Sequence, residues 1–352
     1  MSEMGSSLRG ARILVTGGAG FIGSNFVRLA VARWPEVHVE ILDALTYAGN
    51  LRNIEDVDSK RLTFTHGDIR DPKAIAPIMA RGVTHVINFA AESMVDRSID
   101  DPGSFIQTDT YGVYCLLEAA RQGGIRRFIQ ISTDEVYGEI MEGEATEETT
   151  LLPRNPYAAS KAGGDRMAYA YFATYGLPVV VTRCSNNYGP YQYPEKLIPL
   201  FVTNALEDQP LPVYGNGKNV RDWIHVSDHC DAIARLLEAD GVDGETFNIG
   251  AGNELDVMKI TATILERLGK PKTLIRHVED RPGHDRRYAV DSGKLERKTG
   301  WRPLHSFEQG IAETIDWYAA RRDWWEPIKA GEFRAYYEKM YGQRKAFAGG
   351  PS

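Results

Sequence analysis

Two short stretches carry side chains spaced for proton transfer. In Ser132-Thr133-Asp134-Glu135-Val136-Tyr137-Gly138 a hydroxyl stands beside two adjacent carboxyls. Neighbouring carboxyls hold their protons unequally, which suits one acid and one base. In Pro156-Tyr157-Ala158-Ala159-Ser160-Lys161 a phenol and an ammonium are four residues apart, and on a helix that spacing stacks them on one face. The ammonium favours the phenolate, so it should pull the phenol below its ordinary pKa of about 10 and make it a usable base. Each stretch also has a plain reading. Thr133 and Asp134 are good helix caps, and a Tyr-x-x-x-Lys pair on a helix surface does nothing.

The surrounding elements decide between these readings. Arg127-Phe128-Ile129-Gln130-Ile131 reads as a short strand buried in a parallel sheet, and such sheets bind ligands at the carboxyl ends of their strands. At the other end of the chain, Arg12-Ile13-Leu14-Val15-Thr16 reads as a strand running into Gly17, Gly20 and Gly23, with a helix over 24–34 behind them. Glycines there let backbone approach a pyrophosphate at a helix N-terminus. A second strand over 37–42 ends in Asp43, about 20 residues past the last glycine, where a carboxylate accepts ribose hydroxyls and repels a 2′-phosphate. NAD is therefore expected rather than NADP. A third strand over 62–66 leads to Asp68, placed to hydrogen-bond an adenine amino group or to cap the helix from Pro72, two uses that are compatible. A fourth, over 83–89, ends in Ala90-Ala91, small enough for a cofactor to lie close. Residues 92–101 read as a loop over that cofactor. A helix over 105–122 should bury Val113, Leu116, Leu117 and Ala120, with Cys115 a packing residue. The alternation predicts an α/β, Rossmann-type, doubly wound parallel sheet with right-handed crossovers. Residues 1–188 form the expected NAD-binding domain, to which the chain returns around 222–250, and 189–345 a smaller mixed α/β substrate domain. Within these, 142–155 should be a polar loop, 179–184 a strand, and 255–268 and 307–318 amphipathic core helices. Residues 1–10 and those after 340 are expected to be loose.

Composition narrows the partners. The chain has 352 residues, 43% hydrophobic and 25% charged, with a net charge of −7 and a pI near 5.7. Without a basic stripe, neither nucleic acid nor an anionic membrane surface is an expected partner. Three dispersed cysteines, Cys115, Cys184 and Cys230, favour neither a disulfide framework nor a metal site, and suit a reducing cytoplasm. His225 and His284 are not spaced as metal ligands, so no metal is expected. No apolar run has the length of a membrane span, and the first ten residues lack a signal-peptide core.

With these residues in view, the sequence from about 12 to 318 resembles the extended short-chain dehydrogenase/reductases and, more narrowly, the dTDP-glucose 4,6-dehydratases. The narrower resemblance rests on the 132–138 stretch. It is supported by Ser185-Asn186-Asn187-Tyr188-Gly189-Pro190-Tyr191-Gln192, Glu195-Lys196-Leu197-Ile198-Pro199, Arg221-Asp222-Trp223-Ile224-His225-Val226 and Asp280-Arg281-Pro282-Gly283-His284-Asp285-Arg286-Arg287-Tyr288. Related epimerases lack the Asp-Glu pair, and the decarboxylases have Ser in place of Asp. The resemblance implies oxidation at C4 of a nucleotide-linked glucose, loss of water between C5 and C6, and return of the hydride to C6. It assigns Tyr157 as the first base, Thr133 to hold the sugar oxygen, Lys161 to the nicotinamide ribose, Glu135 as the C5 base and Asp134 as the acid. It extends the cofactor contacts to Phe21, Ile22, Ile69, Ser93, Thr108 and Asn187. Its substrate contacts are Ser93, Thr133, Asn186, Lys196, Leu197, Ile198, Tyr214, Arg221, Asn253, Arg281 and His284. Lys196, Arg221 and Arg281 suit a diphosphate, and Tyr214 could stack on the base. A homodimer through helices of the nucleotide-binding domain is also implied. Two departures lie near the expected pocket: Met94 stands where these enzymes have His, and Gln107-Thr108-Asp109, followed by Tyr111, where they have Gln-Thr-Asn before a small residue. The rivals are a dehydratase of another nucleotide-hexose, an epimerase or decarboxylase, and an NAD-binding regulator.

Overall fold

Alternate residues of a strand point to opposite faces of its sheet, and both faces are apolar in this chain. In β1 (Arg12–Thr16), Ile13 and Val15 enter one core while Leu14 enters another, the pattern of a parallel strand covered by helices on both sides. The computed structural model describes residues 8–342 and 344–347. After β1 come β2 (His38–Asp43), β3 (Leu62–His66), β4 (His85–Asn88), β5 (Arg127–Thr133), β6 (Val179–Cys184), β7 (Asn186–Tyr188), β8 (Leu211–Tyr214), β9 (Val220–His225), β10 (Thr246–Ile249), β11 (Glu254–Asp256) and β12 (Ile275–Val278). Seven of them form one parallel sheet in the order β10-β6-β5-β4-β1-β2-β3. Strand order reverses between β1 and β4, and a crevice opens beyond the strand ends at such a switch point. The expected doubly wound α/β sheet is therefore present.

The helices α1 (Phe21–Arg33), α2 (Pro72–Met79), α3 (Val95–Asp100), α4 (Pro102–Ile106), α5 (Val113–Gly123), α6 (Pro156–Tyr175), α7 (Leu197–Leu206) and α8 (Val226–Glu238) follow in chain order. On one face of the sheet Phe26, Val27, Ile233 and Leu236 of α1 and α8 meet Ile13, Val15 and Ile129. On the other, Ile75, Leu116, Leu117 and Ala168 of α2, α5 and α6 meet Leu14, Val86 and Phe128. Truncating a buried Leu or Ile of either layer to Ala should cost about 2–5 kcal/mol. A separate core holds Phe201, Leu211, Ile264, Ile315, Trp324 and Trp325. It lies among α7, β8 and three later helices: α9 (Val257–Arg267), with α11 (Phe307–Ala320) and α12 (Arg322–Ala330) after the short α10 (Gly293–Thr299). The chain then forms α13 (Glu332–Tyr337). The guanidinium of Arg97, on α3, lies between two rings: Tyr47, from the loop after β2, at 3.7 Å and Tyr336 of α13 at 4.0 Å. It also pairs with buried Glu195 at 3.0 Å.

Several local expectations are revised. Residues 92–101 contain α3 rather than only a loop; Met94 and Val95 are buried but Ile99 is exposed, so no apolar periodicity marks the helix. The helix expected over 105–122 is interrupted by a π-helical turn, Gln107–Gly112, between α4 and α5, although its apolar face is buried as expected. The strand expected to stop at Ile131 runs on to Thr133, so Asp134 and Glu135 open a single 3₁₀ turn, Asp134–Tyr137. Leu255 pairs in β11, which delays the next helix to Val257. The tail is not loose where it is described: Tyr341 is buried and Ala346 bridges to Val278. Residues 348–352 lie outside the described residues, as do 1–7, while Leu8 is packed in the core. No helix among the described residues is long and apolar enough to cross a membrane.

Candidate active site

After β1 the chain turns at Gly17 with φ +66°, and a Cβ there would stand 2.8 Å from the Ala90 backbone nitrogen. Only glycine allows this turn against the end of β4. α1 then begins after Gly20 with no side chain capping its first N–H groups, which leaves them for an anion. Gly17, Gly20, Phe21, Ile22 and Gly23 line a cleft that passes Asp43, Asp68, Ile69, Ala90, Ala91, Ser93 and Thr108. It continues to Thr133, Asp134, Glu135, Tyr157, Lys161, Asn186, Asn187 and Lys196. Asp43 accepts from Ala19 N at 2.9 Å and Leu45 N at 2.8 Å, and burial raises its pKa despite these bonds. Burial would also raise Asp68, yet the Arg70 guanidinium, at 2.9 and 2.6 Å, holds it below the usual carboxylate range. Asp71, not Asp68, caps α2, accepting from Lys73 N at 2.9 Å; it is the residue directly before Pro72, where a cap belongs.

All seven residues of β5 are buried, and this strand delivers the reactive turn. Thr133 Oγ1 accepts from Glu135 N at 3.3 Å and donates to Asp134 Oδ1 at 3.2 Å, so it caps the turn while facing the cleft. Asp134 is 3% exposed, and its Oδ2 has no hydrogen-bond partner among the described residues. Burial, then the charges of Glu135 and Asp222, push its pKa well above the usual range. Burial therefore favours its protonated form. Glu135 is less enclosed, and its Oε2 accepts from Asn155 Nδ2 and the Tyr288 hydroxyl, both at 3.4 Å. The two neighbouring carboxyls thus stand in unequal surroundings.

Tyr157 and Lys161 share α6 as expected, and Lys161 Nζ donates to Ile131 O at 2.8 Å. The phenol nevertheless departs from the expectation of a lowered pKa. Burial first, then the charges of Glu135 and Asp109, raise it well above its ordinary value, with a Thr133 hydrogen bond opposing. Helical spacing reveals the neighbouring cation; it does not reveal the acids that packing brings from other elements.

At the far end, Asn187 Nδ2 donates to Ser185 O at 3.0 Å and its Oδ1 meets His229 Nδ1 at 2.9 Å. Lys196 Nζ donates to Ser93 O. Leu197 and Ile198 open α7, which has no side-chain cap, and the Ile198 side chain is buried in the second core. Arg221 donates to Asp285 O at 2.9 Å beneath the Tyr288 ring, and Arg281 pairs with Asp96 at 3.1 Å; both feel the Glu135 charge. These two, with Leu197, Ile198, Tyr214, Asn253 and His284, are not among the residues that line the cleft. The Tyr214 ring stacks on Tyr341 at 5.9 Å, Asn253 Nδ2 donates to Trp223 O at 3.1 Å, and His284 pairs with Asp280 at 2.7 Å. Sequence reasoning missed Glu92, Cys184, Gln192 and Glu195 on the wall. Gln192 and Glu195 sit inside motifs already singled out, whereas Glu92 and Cys184 carry no spacing signal.

The family model described as GDP-mannose 4,6 dehydratase matches residues 14–314. The chain is 49% identical over 324 residues to the dTDP-glucose 4,6-dehydratase of Streptomyces niveus, covering 91% of this chain and 96% of that relative. It superposes on the crystal structure of DesIV, a dTDP-glucose 4,6-dehydratase from Streptomyces venezuelae solved with NAD and TYD bound. The TM-score is 0.88 and the identity 53%, over 90% of this chain and 100% of the other. The NAD complex of UDP-glucose 4-epimerase from Thermus thermophilus shares the fold at lower identity, with TM-score 0.82 and 32% over 88% and 99% of the two chains. With about half its residues identical across nearly its whole length, this protein belongs to the dTDP-glucose 4,6-dehydratase family.

Proposed function

We propose that this chain dehydrates dTDP-glucose to the 4-keto-6-deoxy sugar nucleotide, with NAD as its resident cofactor. The observation that carries this reading is the unequal carboxyl pair at the end of β5, one of them buried in surroundings that favour its protonated form, in the same cleft as the glycine turn. The site fits NAD: the turn has no room for a Cβ, α1 offers uncapped N–H groups, and Asp43 closes β2 where a 2′-phosphate would be repelled. Gly17, Gly20, Gly23, Asp43 and Asp68 would hold the adenosine and pyrophosphate, and Lys161 and Asn187 the nicotinamide end. Bound there, NAD supplies a hydride acceptor that becomes the hydride donor.

Tyr157 takes the proton of the sugar 4-hydroxyl while Thr133 holds that oxygen. A ketone at C4 makes the C5 hydrogen acidic. Glu135 removes that proton, and Asp134 gives its own to the 6-hydroxyl, which leaves as water. Glu135 then returns its proton to C5. The cycle starts from the Tyr157 phenolate and ends with Tyr157 protonated and Asp134 ionised, so one proton passes from Tyr157 to Asp134 through solvent before the next turnover. Lys196, Arg221, Arg281 and the uncapped start of α7 supply positive potential for the diphosphate, which assigns the substrate end to residues 189–345. The test is to incubate the protein with dTDP-glucose and with UDP-glucose, and to read the alkali-induced ultraviolet absorbance of a 4-keto-6-deoxy sugar. Epimerase or decarboxylase chemistry yields none.

A homodimer in a reducing cytoplasm completes the proposal. Ile106, Tyr111, Tyr114 and Tyr169 expose 59%, 50%, 40% and 44% of their surface near α4–α6, an apolar concentration that a second copy would cover. The three cysteines are free and buried, as a reducing compartment allows. Light scattering of the protein and of Tyr111→Lys tests the dimer: a monomeric parent would overturn it.

A further inference from the structure

Asp109 is a buried carboxyl for which the chemistry above has no use. It lies in the π-helical turn Gln107–Gly112 and is 2% exposed; such turns recur at functional sites. Its Oδ2 accepts from Ser160 Oγ at 2.8 Å and its Oδ1 from Glu92 N at 2.9 Å. Ser160 stands between Tyr157 and Lys161 on α6, and Glu92 and Ser93 line the cleft. The turn is pressed onto α6. Thr110 Oγ1 donates to Ser160 O at 3.1 Å, and a Cβ on Gly164 would lie 2.2 Å from the Asp109 carbonyl oxygen, so a larger residue there would force the two apart.

We propose that Asp109 is a positioning residue with an electrostatic duty: it ties the helix carrying Tyr157 and Lys161 to the segment carrying Glu92 and Ser93, and its charge opposes ionisation of the Tyr157 phenol. This duty depends on Tyr157 acting as the base, as proposed above. Lys161 faces Asp109 from α6 and Glu92 faces it from the cleft segment. Burial lifts the carboxyl to about 7 against the pull of Lys161 and the two hydrogen bonds. It is thus charged above neutrality and neutral below. The phenol meets Glu135 and Thr133 from the reactive turn, Cys184 from β6 and Asp109 from the π turn, and both carboxylates raise it. Removing the Asp109 charge therefore makes the phenolate available at lower pH.

Asp109→Asn isolates that charge. The amide nitrogen can donate to Ser160 Oγ, whose own hydrogen goes to Tyr157 O at 2.8 Å, and the amide oxygen still accepts from Glu92 N. Asp109→Leu removes charge and tethers together; Ser160→Ala removes one tether and leaves the charge. The first readout needs neither sugar nor turnover. A polyfluorinated tyrosine of lowered phenol pKa is placed at position 157 by stop-codon suppression, and its ¹⁹F shift is followed with pH. Asp109→Asn is expected to lower this titration by about one pH unit, with hydrogen exchange at the Glu92 amide unchanged, while Ser160→Ala leaves the titration in place. In unlabelled protein the rising limb of reduced-cofactor formation against pH moves down by the same amount. Asp109→Leu is expected to speed Glu92 exchange at least about tenfold, the loss of one hydrogen bond. An unmoved titration in Asp109→Asn overturns the electrostatic duty, and unchanged exchange in Asp109→Leu overturns the tether. Neither result depends on which sugar the protein takes, so failure here is distinct from failure of the dehydratase reading.

Discussion

The two ends of the cleft are built on different terms. At the glycine-turn end the carboxylates are completed by the chain itself, Asp43 by two backbone N–H groups and Asp68 by Arg70. At the reacting end Ser132 Oγ, Asp134 Oδ2 and Asn186 Oδ1 are buried without partners among the described residues. A buried polar atom without a partner costs about 1–3 kcal/mol, and such atoms persist in native proteins where function uses them. The two carboxylates of the glycine-turn end are thus satisfied by the chain itself, while the reacting end carries buried polar atoms that a bound sugar could satisfy. Substitutions at the two ends should accordingly fail in different ways.

The largest effect is expected at the reacting end. Tyr157→Phe should slow oxidation at C4 by about 10³-fold, read as reduced-cofactor absorbance in a single turnover with dTDP-glucose. Asp134→Asn should slow water loss by about 10²-fold while leaving that oxidation, so reduced cofactor accumulates. Undiminished water loss in this variant would refute the acid assignment. Arg221→Gln should raise KM about tenfold with little change in kcat, because the diphosphate is bound equally before and during reaction; a fall in kcat alone would place Arg221 in the chemistry instead. At the glycine-turn end, Asp43→Asn should weaken NAD binding about tenfold and narrow the preference over NADP, measured by fluorescence titration of the two cofactors; an unchanged ratio would separate Asp43 from the ribose.

The smallest effect concerns stability. Asp134 has a folded pKa above its unfolded value of about 3.9. Below that value both states hold the proton and there is no contribution. As pH rises through it the unfolded carboxyl ionises while the folded one does not, so stability falls until the folded pKa is reached. The melting-temperature advantage of Asp134→Asn over the parent should therefore grow by a few degrees between about pH 4 and pH 7. An advantage independent of pH would mean that Asp134 is ionised in the folded protein.

The contrast also explains what could be read before folding. The glycine turn, Asp43 and the Thr133-Asp134-Glu135 stretch are local: residue type, spacing and the ends of apolar runs place them, and the resemblance to a known family supplied their roles. Tyr157 shows the limit. Its partner Lys161 is one helical turn away and was visible, but the acids that raise it come from the 3₁₀ turn after β5 and the π turn. Asp109 was noticed only as a departure, since nothing in its neighbours announces the contacts with Ser160 and Glu92. Tyr214, expected against a base, stacks on Tyr341, a residue more than a hundred positions later in a segment expected to be loose. Packing of distant segments decides all three, and local periodicity carries no record of it.

The guanidinium of Arg97, gripped by the rings of Tyr47 and Tyr336, bears on traffic through the cleft. Thr46, Ala48 and Gly49, on either side of Tyr47, line the cofactor end, and each cation–ring contact is worth about 0.5–2 kcal/mol. A sugar nucleotide must enter and leave at every turnover, whereas a cofactor restored to its starting form need never depart. Riveting this rim to α13 means that a cofactor leaving past it must first break both contacts.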